Sequence, residues 1–246
     1  MANTGCEIRI GTSGWHYKHW IGRFYPEDLP KNRWLEFYGE HFNTVEINNT
    51  FYHLPKEATM EGWHDRAPAH FLYAVKASRY ITHVKKLKDP EESIERFFSL
   101  ANLLKRRLGP ILYQLPPNLH KDLEKLDQFI KAIPKRNHAV FEFRHTSWYE
   151  QDVFDLMNER GVALCVHDMG EKAPPRVVTG DMVYLRFHGR DSRYQGNYPD
   201  RVLEEWAEWM KDQTDRVGAI YAYFNNDIGG HALNNARSLK RIMGVS

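Results

Sequence analysis

Cysteine is scarce in this chain. Cys6 and Cys165 are its two copies, far apart and without C-x-x-C spacing, which excludes a disulfide-stapled scaffold and a zinc ribbon. Long hydrophobic runs are missing as well: none approaches the ~20 residues that cross a bilayer, so no membrane partner is expected. The opening Met1–Ala2–Asn3–Thr4–Gly5 has neither the basic nor the apolar region of a secretory signal. A cytoplasmic protein with free thiols is therefore the expectation, and Asn48–Asn49–Thr50 matches a glycosylation acceptor by chance. Excess charge of one sign is also lacking. With 34 basic against 32 acidic residues the formal charge is +2, too small for bulk attraction to nucleic acid or to a membrane surface.

What the chain does have is enough length, 246 residues, to bury a large core, and 13% aromatic residues with which to fill it. Period-2 apolar runs recur along it. Ile8–Arg9–Ile10 leads into the turn Gly11–Trp15, and Thr44–Asn48, Phe71–Lys76, Pro110–Gln114, His138–Arg144, Val162–Asp168, Met182–Gly189 and Ala219–Asn226 follow. Between them lie stretches with apolar residues at helical spacing. Asp89–Pro90–Glu91–Glu92 carries a cap, a first-position proline and first-turn acids, and Gly161 ends the helical stretch Ser147–Arg160 as a C′ residue. Lys172–Thr179 is interrupted by prolines and reads as a loop or short helix. The polar segment Arg190–Pro199, with Arg193, Tyr194 and Tyr198, is the candidate lid.

Eight strand-like runs alternating with helical ones favour an α/β fold with parallel strands, and the chain length suits a single (β/α)8 TIM-type barrel over residues 1–246. The competing open, doubly wound sheet would be expected to carry a G-x-G-x-x-G turn after the first strand, and none is present. The polar strand endings say more than the strand count. Glu46, Lys76, Gln114, Glu142, His167 with Asp168, Arg186 with His188, and Asn225 all fall at the last positions of separate runs. In a barrel those positions converge on the C-terminal mouth, where catalytic residues sit.

The segments Ile10–Trp15, Thr44–Asn48 running on to Thr50–Phe51–Tyr52, Ala74–Ala77, Tyr113–Pro117, Glu142–His145 with Trp148, Tyr184–Gly189 and Tyr223–Asn226 are spread in order over nearly the whole chain. Together they resemble the domain-of-unknown-function 72 family. The resemblance implies a TIM-type barrel similar to those of sugar isomerases and endonuclease-IV-like enzymes, and it implies a site position more than a reaction.

The leading expectation is an enzyme that works by acid/base chemistry on a small anionic substrate, phosphorylated or carboxylated, with hydrolase, lyase and isomerase all open. Arg144, Arg186 and Lys76 would supply positive charge, and the loop Asn225–Asn226 with Gly229–Gly230 before the last helix would offer N–H groups. Glu142 or Glu46 would be the base and His188 or His167 the acid. Gln114, Asp168, Ser13 and Trp15 complete the substrate-binding set. Lys76 could instead form a Schiff base if desolvated, and Glu142→Gln is expected to abolish turnover without affecting folding. No cofactor is predicted. A divalent metal is the second expectation, on the ligand types of Glu46, Glu142, His167, Asp168 and His188, although three cations crowd the same mouth and no H-x-H or H-E-x-x-H spacing supports it. A non-catalytic nucleic-acid binder is the third, on the basic clusters Lys85–Lys88, Lys105–Arg107 and Lys135–Arg136 and on stacking by Trp15, Tyr17, Trp20 or Tyr194. The competing reading of those clusters is structural: Arg106 and Arg107 close a helix, where positive charge complements the dipole.

Overall fold

The structure is a computed structural model that describes residues 5–168, 174–189 and 195–245. Eight parallel strands run in chain order: β1 Glu7–Thr12, β2 Thr44–Ile47, β3 Leu72–Lys76, β4 Leu108–Gln114, β5 Ala139–Glu142, β6 Ala163–Asp168, β7 Met182–Phe187 and β8 Ala219–Phe224. They hydrogen-bond in the order β1-β8-β7-β6-β5-β4-β3-β2. This is a nearly closed (β/α)8 TIM barrel. Between them lie α1 Trp34–Gly39, α2 Asn49–Tyr52, α3 Glu57–Arg66, α4 Pro90–Ala101, α5 Leu123–Ala132, α6 Gln151–Glu159, α7 Asp200–Lys211 and α8 His231–Met243. Among the described residues no helix joins β6 to β7. Most of Lys172–Thr179 is extended or irregular there, and residues 172 and 173 lie outside the described residues.

The helices form where the chain supplies an apolar stripe and a cap. Ile94, Phe97, Phe98 and Ala101 are the buried face of α4, with Pro90 at its first turn. Asp122 caps α5 by accepting from Lys125 N at 3.0 Å. Gly161, at φ +64°, follows α6 as the sequence predicts. These faces pack on the outside of the barrel. The inside holds a separate, smaller apolar plug that includes Ala74, Leu112, Val140, Cys165, Tyr184, Tyr221 and Tyr223. Because side chains alternate across each strand, the next inward position beyond this plug, toward the C-terminal ends, is Lys76, Gln114, Glu142 or Arg186. The plug is the floor on which those polar groups stand.

The barrel is not laced uniformly. β1 and β8 pair over six residues, from Glu7↔Ala219 to Thr12↔Phe224, but β1 and β2 share a single bridge, Ser13↔Glu46. Tyr38 of α1 fills the gap. Its hydroxyl accepts from Thr12 N at 3.1 Å and donates to Thr44 O at 3.1 Å, substituting for the missing ladder bonds. Gly11 makes the approach possible, since a Cβ there would lie 2.4 Å from Thr44 O.

Candidate functional site

At the mouth, Arg186 from β7 lies between two carboxylates. Its Nη2 and Nε donate to Glu46 Oε1 at 2.9 and 3.2 Å, and its Nη1 donates to Glu142 Oε2 at 2.6 Å. Each carboxylate is 0% exposed, and each is saturated with further donors. Glu46 accepts from Ser13 Oγ at 2.7 Å, Tyr184 OH at 2.7 Å and Asn48 Nδ2 at 3.1 Å. Glu142 accepts from Gln114 Nε2 at 2.7 Å and pairs with Arg144. Burial by itself would raise both carboxyls, but Arg186 at Glu46, and Arg144 with Arg186 at Glu142, outweigh it and hold both below the usual carboxylate range. Two carboxylates ionised this firmly, with no exposed lone pair, serve to orient arginine rather than to abstract protons. That argues against either as the base.

His188 Nε2 lies 3.2 Å from Arg144 Nη2 and 3.5 Å from Arg186 Nη1. Guanidinium groups only donate, so Nε2 accepts from them, and Nδ1 faces the Asn225 side-chain amide nitrogen at 3.3 Å. Burial and then Arg186 keep His188 well below the ordinary histidine range. A ring held neutral in this way does not suit the general-acid role expected of it. His167, also buried, approaches Phe143 O at 3.3 Å and Tyr149 OH at 3.5 Å, and burial lowers it too.

Lys76, at the end of β3, is different. It is 8% exposed, its Nζ lies 4.1 Å from the centre of the Phe51 ring, and among the described residues no acceptor or carboxylate bonds to it. Burial, followed by Arg186, pushes its ammonium down to about 7. It lines a cavity of about 350 Å³ together with Arg186, Asn48, Asn225, His19 and Asp227. The last two form a pair the sequence reading missed. His19 Nε2 is 2.8 Å from Asp227 Oδ2, while Trp20 Nε1 donates to Oδ1 at 2.8 Å. Burial raises the Asp227 carboxyl above its usual value against the pull of those two donors. His19 sits between Tyr17 and Trp20, whose rings lie 4.9 Å apart, a setting that by sequence suggests aromatic packing, and nothing local announces a partner 208 positions away. Asn48 shares the inward face with Glu46, and that signal was available.

Other expected residues lie elsewhere. Asn226 is turned away from the mouth, with its Nδ2 on Gly196 O at 2.9 Å and Asn235 Oδ1 at 2.8 Å, anchoring the chain to α8. Asp168 is out of phase with the inward His167, and its carbonyl accepts from His188 N at 3.1 Å. Trp15 is buried edge-on against Trp63, with ring centres 5.3 Å apart, beside a neighbouring cavity of about 450 Å³. Ser13 reaches the mouth only through Glu46. Of the N–H groups expected from the loop Asn225–Asn226 with Gly229–Gly230, two are taken up elsewhere: Gly230 N donates to Asp227 O at 2.7 Å and Asn225 N to Phe187 O at 2.8 Å.

The candidate lid falls partly outside the described residues, at 190–194. Its far end is pinned, with Tyr198 buried, accepting from Gly189 N at 3.0 Å and tied to Asn235. The proposed stacking surface is corrected: Trp15 and Trp20 are buried, Tyr17 is half-buried, and Tyr194 lies outside the described residues. Arg107 is likewise buried, donating to Pro68 O. Among the described residues no three His, Cys, Asp or Glu side chains are grouped so as to hold a metal ion, and Glu46 and Glu142 both face arginine. No described helix is long and apolar enough to cross a membrane.

Comparison with known proteins agrees with the fold. UPF0759 protein YunF of Bacillus subtilis (strain 168) is 26% identical, with 97% of this chain and 95% of the relative covered. UPF0759 protein YecE of Escherichia coli (strain K12) is 25% identical over 84% of each. The crystal structure of a DUF72 family protein from Thermotoga maritima MSB8 superposes with a TM-score of 0.88 at 29% identity, over 97% of this chain and 99% of that one. A second, from Enterococcus faecalis V583, gives 0.80 at 21% identity over 97% and 96%. A family model described as "Protein of unknown function DUF72" matches residues 9–246, and with the barrel and its charged mouth in view, the chain belongs to the DUF72 family.

Proposed function

We propose that the mouth is an enzyme active site that binds a small anionic substrate, phosphorylated or carboxylated, and moves protons with Lys76 and the His19–Asp227 pair. The observation that carries this reading is Lys76 itself: a buried amine that bonds to no carboxylate among the described residues, opening on a cavity it shares with Arg186 and a carboxylate–imidazole pair. A buried cation left without an anion favours a ligand that brings one. Three groups around the mouth bear the mark of its surplus positive charge. After burial, Arg186 lowers Lys76 and His188, and Lys76 lowers His83. Glu46 and Glu142 then act as positioning residues. They hold Arg186 and Arg144 rigid, so that little reorganisation accompanies binding.

Thermal unfolding against a panel of carboxylated, phosphorylated and neutral metabolites tests this. Anionic compounds should raise the Tm, by roughly 2.7 kcal/mol of added stability at a hundredfold excess over Kd, and Lys76→Met should weaken the response. A panel in which no anion shifts the Tm, or a Lys76→Met variant that responds as the wild type does, would sink the proposal.

A further inference from the structure

The geometry points to Lys76 as a covalent nucleophile that forms a Schiff base with a small carbonyl compound bearing a carboxylate or phosphate. This inference rests on the active-site reading above and deepens it by naming the class of substrate.

The amine is placed for attack. Its backbone is fixed at the strand end, with the Lys76 carbonyl accepting from Thr50 Oγ1 at 2.6 Å. The stem is buried, and the Phe51 ring face supports the Nζ from one side. The two carboxylates that could have tied it down, Glu46 and Glu142, are held by Arg186, and Glu142 by Arg144 as well. Lysines that serve structure in a buried setting pair with a carboxylate, whereas one whose neighbouring acids are bound to other cations has the surroundings of an activated nucleophile. The same cavity supplies what the remaining steps need. Asn225 offers its side-chain amide to an anionic substituent, Arg186 lends the fixed charge that its two glutamates hold in place, and His19 with Asp227 can give and take a proton.

In the reaction, the lone pair of the neutral amine forms a bond to the carbonyl carbon while the C=O π pair moves onto oxygen. That oxygen takes up a proton, and nitrogen loses one, giving a carbinolamine. Protonation of the hydroxyl by the His19–Asp227 pair lets the C–O bond break, water leaves, and the nitrogen lone pair completes a C=N⁺ bond. One proton is taken up and one water released per iminium formed, with no oxidation or reduction.

The test is reductive trapping in the full-length protein. Pyruvate and dihydroxyacetone phosphate, as carboxylate and phosphate probes, are each incubated with the protein, borohydride is added, and intact mass and peptide maps are recorded. The expected product gains the mass of the probe less one oxygen, on the peptide carrying Lys76. The probe that traps faster identifies the preferred anion. Lys76→Arg, which keeps the charge, and Lys76→Met should give no such adduct while retaining the circular dichroism of the wild type. Trapping should rise roughly tenfold between about pH 6 and about pH 8, as the amine loses its proton. No adduct with either probe, or equal labelling of Lys76→Arg, overturns the proposal. Binding of lactate and glycerol 3-phosphate, which lack the carbonyl, separates the two readings. If these alcohols and the probes bind without any adduct, the Schiff base fails and the anion site stands; if nothing anionic binds, both fail.

Discussion

Arg186 is the residue on which the mouth depends, and its neighbours set the energetics of the site. A fully buried guanidinium between two fully buried carboxylates is tolerable because nearly every lone pair and N–H is matched. Removing one partner leaves charge uncompensated. Glu142→Gln is therefore expected to lower stability by about 3 kcal/mol in urea unfolding, contrary to the expectation that it would spare the fold. Tyr184→Phe removes a 2.7 Å donor to Glu46 and should cost about 1.5–3 kcal/mol by the same measurement. Lys76 behaves in the opposite sense. Its folded value of about 7 lies below the unfolded 10.5, so between those limits the unfolded chain binds the extra proton and stability rises with pH. Lys76→Met should be more stable than wild type by roughly 2–4 kcal/mol near neutral pH, and the gap should narrow toward alkaline pH in paired denaturation curves. The carboxylates act at the acid end. Their depressed folded values mean that the stability they give is present above the ordinary carboxylate range and is lost as pH falls through the folded values.

At the scale of elements, the strands were the legible part. Alternation marks which side of a strand is which, so Glu142 with Arg144, and Tyr184 with Arg186 and His188, could be put on one face from spacing alone. What spacing does not convey is the distance between faces of different strands. Hence Arg186 was expected to anchor substrate, although it is tied to both glutamates, and Asn226, one position past an inward residue, was expected at the mouth although it serves α8. His19 and Asp227 meet only because β1 and β8 are neighbours, which the strand order reveals and local pattern does not. The bond between α1 and the β1–β2 gap was hidden for the same reason. Tyr38→Phe should strip partners from a buried N–H and a buried carbonyl and cost roughly 2–4 kcal/mol in chemical denaturation. An unchanged midpoint would mean that the hydroxyl is not needed for closure.

For the molecule as a whole, one design runs through floor, site and closure. The tyrosine-rich plug excludes water from beneath the charges, which strengthens every interaction above it. Glu46 belongs to two systems at once: it receives Arg186 at the mouth, and it forms the one backbone bridge that joins β1 to β2. Loosening that join would shift a carboxylate away from Arg186, and disturbing Arg186 would slacken the join. Local breathing of the barrel and the electrostatic state of its mouth should therefore be coupled through Glu46. The amide proton of Thr12, held by a tyrosine hydroxyl instead of a ladder partner, is where hydrogen exchange would register it first. An anion settling in the mouth should slow that single exchange rate well before it alters the protection of β7 and β8.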